Sequence, residues 1–373
     1  MKYFLIAGEA SGDLHASNLM SQIKNVDKNA DFMFFGGDLM QAQGGKMLRH
    51  YREMAYMGVI EVLANIGKIK KNFEICHKNL LEYKPDAVIL VDYPGFNLKV
   101  AKFAKEHGFK TFYYISPKIW AWKKKRAFTI KKYVDKMFAI FPFEVDFYKQ
   151  FDYKVDYVGN PLVDAMQNCE KDFVDENEFR KKYNLNDLPI IALVPGSRRS
   201  EIEKLLPEML GILPHFRQYQ FIITGAPGIE HDFYNKYTQN QNVTVIFDDT
   251  YNVIRNSVAA VVTSGTATLE TAFLKTPQVV VYKMNYISYL AAKTFVKIKY
   301  FSLVNIILER LAVKELLQAH LTDDIVNELQ KILLDQTYRQ RMLKSYDEIQ
   351  TILGNESASL RTAEVIYNNI KTI

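Results

Sequence analysis

The chain has 373 residues, of which 48% are hydrophobic and 24% charged, with a net charge of +6. That length and balance exclude a disordered protein and predict two globular domains, each able to bury a full core. The two cysteines, Cys76 and Cys169, match no metal or redox spacing, which argues against a disulfide framework and for a reducing compartment.

The opening "MKYFLIAGEASGD" carries an apolar run too short for a signal peptide, with acidic residues straight after it. It reads as a buried first strand. No stretch approaches about eighteen apolar residues, so no membrane-spanning helix is expected. Further strands are predicted at 31–37, 87–92, 110–116, 136–141 and 155–159, with helical patterns between them, such as 14–24 and 98–106. Short, continuously apolar strands separated by helices predict a parallel sheet covered on both faces. The polar stretch 167–189 is expected to hold a short helix and the interdomain linker. The strand pattern then restarts at 190–197, 220–226, 243–249, 259–265 and 278–283. The end of the chain, from about Thr322, is expected to be helical. The fold class is therefore α/β, two doubly wound Rossmann-like domains in series facing a cleft. The expected domains are 1–185, 186–345 and a helical segment, 346–373, that returns to the first.

Ligands of open α/β sheets bind beyond the carboxyl ends of the strands, so the residues just after each strand carry the functional reading. After the first strand comes "GEASGD", which is not the dinucleotide fingerprint G-x-G-x-x-G. Its amides at Gly8–Gly12 are available, and Asp13 is expected to cap the following helix. Glu9 is left to accept hydrogen bonds from hydroxyls, which suits a sugar better than a bare phosphate. Ser11, Gly12, Asp13 and His15 are the other candidates on this acceptor side. "AVILVDYPGFN" (87–97) places Asp92 at a strand end in a rigid turn, where a carboxylate can act as a general base. Asn97 is the residue expected to cap the helix that follows.

In the second half, "ALVPGSRRSEIEKLLP" (192–207) ends a strand at Pro195-Gly196. Ser197 is expected to cap a helix with Glu201 in its first turn. Arg198 and Arg199 stand at the positive helix end, where cations gain nothing unless an anion arrives. "VVTSGTATLE" (261–270) supplies a second such turn, with Ser264, Gly265 and Thr266 at a helix start and Glu270 one turn in, where it could grip a ribose diol. Together the two turns describe a nucleotide-diphosphate site. The seven histidines are scattered and no D-x-D triplet occurs, so no metal site and no cofactor are expected.

The segments "LIAGEASGDLHA", "VDYPGFN", "YYISPKIWAWKKKR", "FPFE", "YVGNPLVD", "LVPGSRRSEI", "SGTATLETA" and "SLVNIILERLAVKELLQ" occur in the order found in lipid-A-disaccharide synthases. The chain resembles that family over roughly residues 1–320. The resemblance implies a GT-B fold and an inverting, metal-independent glycosyltransferase. The substrates it implies are UDP-2,3-diacylglucosamine and 2,3-diacylglucosamine 1-phosphate (lipid X), and the products a β-1,6-linked disaccharide 1-phosphate and UDP. It makes Asp92 the essential carboxylate and Arg198, Glu270 and Asn305 donor-site or activity residues, with Gln318 near the nucleotide. Val304 stands where the family more often has Pro, and Gly95 replaces an acid present in some members. Whether Asp92 or Glu9 is the base stays open.

Lipid substrates also give a reason for two basic–apolar stretches. "YMGVIEVLANIGKIKKNFEI" (56–75) sets Val59, Ile60 and Leu63 beside Lys70 and Lys71, as an interfacial helix requires. "KIWAWKKKRAFTIKKYVDK" (118–136) holds eight Lys/Arg and one acid among large aromatics, which suits anionic headgroups. The resemblance implies a cytoplasmic protein attached peripherally to the inner face of the cytoplasmic membrane, and a homodimer through the second domain as in some members. Nucleic acid is not an expected partner. The competing readings are another GT-B enzyme, such as a UDP-sugar 2-epimerase, and a non-enzymatic nucleotide-sugar or lipid-binding protein.

Overall fold

The structure is a computed structural model that describes residues 1–54, 65–122, 124–283, 299–317 and 320–371. Two compact units account for the chain: Met1–Asn168 with Leu353–Ile373, and Cys169–Ile352. Each contains one wholly parallel sheet.

The first sheet has seven strands: β1 (Lys2–Ala7), β2 (Asp31–Gly36), β3 (Lys46–His50), β4 (Ala87–Val91), β5 (Thr111–Tyr114), β6 (Lys136–Ala139) and β7 (Asp156–Tyr157), in the order β3-β2-β1-β4-β5-β6-β7. Its centre is dry on both faces. Tyr3–Ala7 and Ala87–Val91 are fully buried, as helices packed on either side of a parallel sheet require. Each large side chain so buried contributes about 1.5–3 kcal/mol, set against the entropy of ordering the chain. The C-terminal helix Ala358–Lys371 lies along the helix Ala10–Val26 of the same unit. Asp164 fastens its start, accepting from the Ser359 amide at 2.9 Å and hydroxyl at 2.6 Å. The expected return of the C-terminal helix to the first domain is present.

The second sheet has six strands: β8 (Ile190–Val194), β9 (Gln220–Gly225), β10 (Val243–Phe247), β11 (Ala259–Thr263), β12 (Gln278–Tyr282) and β13 (Lys314–Leu317), in the order β10-β9-β8-β11-β12-β13. The stretch read as a linker is partly core here. Phe179, on the helix Glu176–Lys182, is fully buried in the second unit's core, with its ring against Tyr183, and Val174 and Leu185 pack against the same core. Asp249 holds that segment down, accepting from Lys182 at 2.8 Å and Tyr183 at 2.6 Å. This is why the second unit begins at Cys169.

In each sheet the strand order reverses direction at one point, between β1 and β4 in the first and between β8 and β11 in the second. A crevice opens at such a switch point, beyond the carboxyl ends of the two strands.

Candidate active site

The β1/β4 switch point brings together the loops carrying Glu9 and Asp92, since Ala7 pairs with Val91. The helix after β1 starts at Ala10, earlier than the apolar pattern suggests, and Glu9 is its N-cap residue with an extended backbone. Glu9 makes no side-chain capping bond.

Asp92 and Tyr93 both adopt left-handed backbone conformations, with φ of 43° and 49°. Asp tolerates this region and Tyr does not, at a cost of about 1–3 kcal/mol. The surroundings hold the turn in place. The Asp92 carbonyl accepts from Tyr113 Oη at 2.5 Å and Asn97 Nδ2 at 2.8 Å, and its N–H donates to the Tyr114 carbonyl at 3.1 Å. The Tyr93 ring packs against Gly8, where a Cβ would stand 2.3 Å from a ring carbon, and its hydroxyl donates to the Met54 carbonyl at 2.6 Å. Gly8 is therefore required by the ring rather than by a phosphate. The backbone of Asp92 is thus fixed while its side chain stays half-buried. The helix here starts at Pro94, with Tyr93 as N-cap, so Asn97 is not the cap; its amide ties the ends of β4 and β1 from inside the first turn.

Asp13 does not cap its own helix. Its carboxylate accepts from the amides of Gly37 (2.7 Å), Leu39 (3.1 Å) and Met40 (3.1 Å), the start of the short helix Asp38–Ala42. Burial pushes its carboxyl above the ordinary aspartate range, and these three amides oppose the rise. His15 is buried, and burial lowers its imidazole to about 4, so the ring is neutral at pH 7; its Nδ1 has no hydrogen-bond partner among the described residues. Ser11 is exposed, and Gly12 is buried against Ala7.

In the second unit, β8 and β11 are neighbours, with Val194 opposite Val262. Two helix N-termini therefore emerge side by side. After β8, Gly196 turns at φ 120° over Glu201. Arg198 is the N-cap residue of the helix Arg199–Leu210, so Ser197 lies one residue too early to cap it and is exposed. The backbone N–H groups and dipole of this helix end remain, as anion binding requires. Arg198 pairs with Glu201 at 3.1 Å. Arg199 is held elsewhere, on Glu230 at 2.6 Å and over the Phe233 ring.

After β11, Gly265 is the N-cap of the helix Thr266–Phe273, and a Cβ there would meet nothing within 4 Å. The Ser264 hydroxyl donates to the Phe301 carbonyl at 2.9 Å. Glu270 is half-buried, accepts from Tyr251 Oη at 3.1 Å, and is pushed by burial above the ordinary glutamate range.

Asn305 is fully buried and its amide is spent internally. Nδ2 donates to the Val313 carbonyl and to Glu315, and Oδ1 accepts from the amides of Ala312 and Val313, all within 2.7–3.0 Å. Glu315, on β13, is a residue the local sequence gives no role. It accepts from the amides of Phe301 (2.9 Å) and Ser302 (2.8 Å), so Ser264, Phe301, Glu315 and Asn305 form one chain of hydrogen bonds. Val304 donates its N–H to the Ser302 hydroxyl, a bond that proline in its place could not make. Gln318 lies outside the described residues, as do Val59, Ile60 and Leu63. Lys70, Lys71 and Ile66 are exposed on or at the start of the helix Ile66–Tyr83, and Phe128 is exposed in the basic stretch. No helix among the described residues is long and apolar enough to cross a membrane.

Two parallel-sheet Rossmann-like domains, each with its loops gathered at a switch point, define a protein of the GT-B class. A UDP-GlcNAc 2-epimerase from Neisseria meningitidis, solved with UDP-GlcNAc, superposes with a TM-score of 0.67 over all of both chains at 14% identity. The calicheamicin glycosyltransferase CalG4 does so at 0.59, over 99% of this chain and 98% of its own, at 12% identity. At such identities the likeness is one of fold. The Lipid-A-disaccharide synthetase family matches residues 3–368. Lipid-A-disaccharide synthase of Myxococcus xanthus is 36% identical, covering 98% of this chain and 96% of its own length. Lipid-A-disaccharide synthase 1 of Legionella pneumophila is 39% identical over 84% of this chain and 83% of its own. The chain belongs to the lipid-A-disaccharide synthetase family.

Proposed function

We propose that the chain is a glycosyltransferase that joins UDP-2,3-diacylglucosamine to the 6-hydroxyl of 2,3-diacylglucosamine 1-phosphate, releasing UDP and the β-1,6-linked lipid A disaccharide 1-phosphate. Family membership carries the reaction, and the pinned Asp92 turn carries the mechanism. Asp92 takes the proton of the acceptor 6-hydroxyl as its oxygen attacks the donor anomeric carbon. The bond from that carbon to the UDP oxygen breaks through an oxocarbenium-like state, with inversion. The negative charge growing on the departing diphosphate is met by Arg198 and by the amides at the two adjacent helix N-termini. Glu9 accepts from sugar hydroxyls beside Asp92. Asn305 acts through Glu315 by holding the 301–315 loop against Ser264, and Gln318 completes the nucleotide site.

The substrates carry long acyl chains, which favours work at the inner face of the cytoplasmic membrane. The 56–75 segment and the basic 118–136 stretch are the attachment surface in this reading, supported by exposed Ile66, Phe128 and the lysines around them.

The test is turnover of both substrates in detergent micelles, read by mass spectrometry, with Asp92→Asn alongside. Wild type should yield the disaccharide 1-phosphate, and the variant should lose about 10²–10⁴ in rate while staying folded. UDP release without disaccharide would remove the acceptor from the proposal, and an epimerised UDP-sugar would replace the reaction altogether.

A further inference from the structure

Tyr251 belongs to no motif and follows the edge strand β10, on the helix Thr250–Arg255. It nevertheless reaches the donor side. Its hydroxyl donates to Glu270 Oε1 at 3.1 Å, joining the helix after β10 to the one after β11. Both side chains are half-buried. Burial disfavours the charged form of a carboxylate, and donors that hold the charge oppose this. Burial pushes Glu270 upward and the Tyr251 hydroxyl pulls it back. Among the described residues, the thiol of Cys169 also bears on this pair, and it offers no positive charge.

We propose that Tyr251 is a positioning residue for nucleotide recognition: by holding one oxygen of Glu270, it fixes the carboxylate plane so that the ribose diol of the donor is accepted by the oxygens left to it. The proposal rests on the reading of Glu270 as the ribose ligand. A carboxylate has about four lone-pair sites, so one phenol bond leaves enough for two hydroxyls. The terminal torsion of a glutamate is broad and roughly two-fold. Without the phenol, the carboxylate is no longer oriented and loses a donor that favours its charged, accepting form. A site built around ribose hydroxyls then discriminates against a nucleotide lacking one of them.

The experiment is calorimetric binding of UDP and 2′-deoxy-UDP to the purified full chain and to Tyr251→Phe, between pH 6 and 8. Wild type should prefer UDP by about tenfold, the effect of one hydrogen bond to a charged acceptor. In Tyr251→Phe, UDP should weaken about three- to tenfold while 2′-deoxy-UDP changes little, so the preference collapses. The loss should grow toward pH 6, because a carboxyl without its phenol protonates more readily. Glu270→Gln should also abolish the preference, and Tyr251→Phe added to it should cost nothing more. Retained preference in Tyr251→Phe overturns the role of Tyr251, as does equal weakening of both nucleotides with a lowered melting temperature. Wild type that binds UDP without preferring it over the deoxy form overturns the Glu270 reading, and the proposal with it.

Discussion

Glu144, in the "FPFE" segment, is 1% exposed at the start of the helix Pro142–Lys149. Its Oε2 accepts from the amides of Ile140 and Phe141 at 3.0 and 3.1 Å. Burial outweighs these bonds and raises the carboxyl from 4.5 to about 7. Between those values the folded protein binds a proton that the unfolded chain has released, so stability present below pH 4.5 is lost as the pH rises through 7. At 1.36 kcal/mol per unit, that window is worth about 3 kcal/mol. His15 works in the opposite direction. Lowered from 6.5 to about 4, it contributes stability that is lost as the pH falls through the same region. The two trends largely cancel in the wild-type curve, so the informative quantity is the difference from Glu144→Gln, whose amide oxygen still accepts both backbone bonds. Urea unfolding by tryptophan fluorescence reads the first domain alone, because the two tryptophans are Trp120 and Trp122. From pH 4.5 to 8 the variant should gain about 3 kcal/mol on wild type, whatever constant offset the substitution brings. A difference independent of pH would refute the assignment of a buried, protonatable Glu144.

Three further substitutions probe the two switch points. Gly8→Ala drives a Cβ into the Tyr93 ring, so turnover should fall along with about 1–3 kcal/mol of first-domain stability, read by the same urea titration. Asp13→Ala leaves three amides of the Asp38–Ala42 helix without their acceptor and should cost about 2–3 kcal/mol in that titration. Arg198→Ala should weaken UDP about tenfold by calorimetry, whereas Arg199→Ala, whose guanidinium is held on Glu230, should leave it within about twofold.

The central strands were legible because each is a short apolar run buried on both faces, which no helix of that length would need. The two strands that escaped are β3, "KMLRH", and β13, "KELL". Each closes one edge of its sheet. An edge strand is covered on fewer sides and carries charges that discourage further pairing, so it lacks the continuous apolar signal. The 167–189 stretch holds the short helix its pattern predicts, Glu176–Lys182, but the core it joins is hidden for a related reason. Its polar residues dominate the composition, while one aromatic, Phe179, decides which core it joins.

The site was legible to the extent that strand ends are. Glu9, Asp92, Arg198 and the 264–266 turn all lie just beyond the carboxyl ends of strands, and the sheet order sets them at the two switch points. What local spacing could not supply is the partner of each group. Asp13 sits one turn into its own helix, where spacing suggests an N-terminal cap, yet its acceptors serve a helix that begins at residue 38. Asn305 has the chemistry of a ligand-binding amide, yet four bonds to the 312–315 segment occupy it. Asp92 is the sharpest case. The sequence gives a carboxylate after a strand, but its left-handed backbone is held by Tyr113 and Tyr114 from β5 and by Asn97 from the next helix. An aspartate whose carbonyl and amide are both tied to neighbouring elements cannot relax its turn without breaking its bonds to β5. Substitutions at Tyr113 or Asn97, which are buried, should therefore alter the rate through the aim of Asp92 rather than through contact with a sugar.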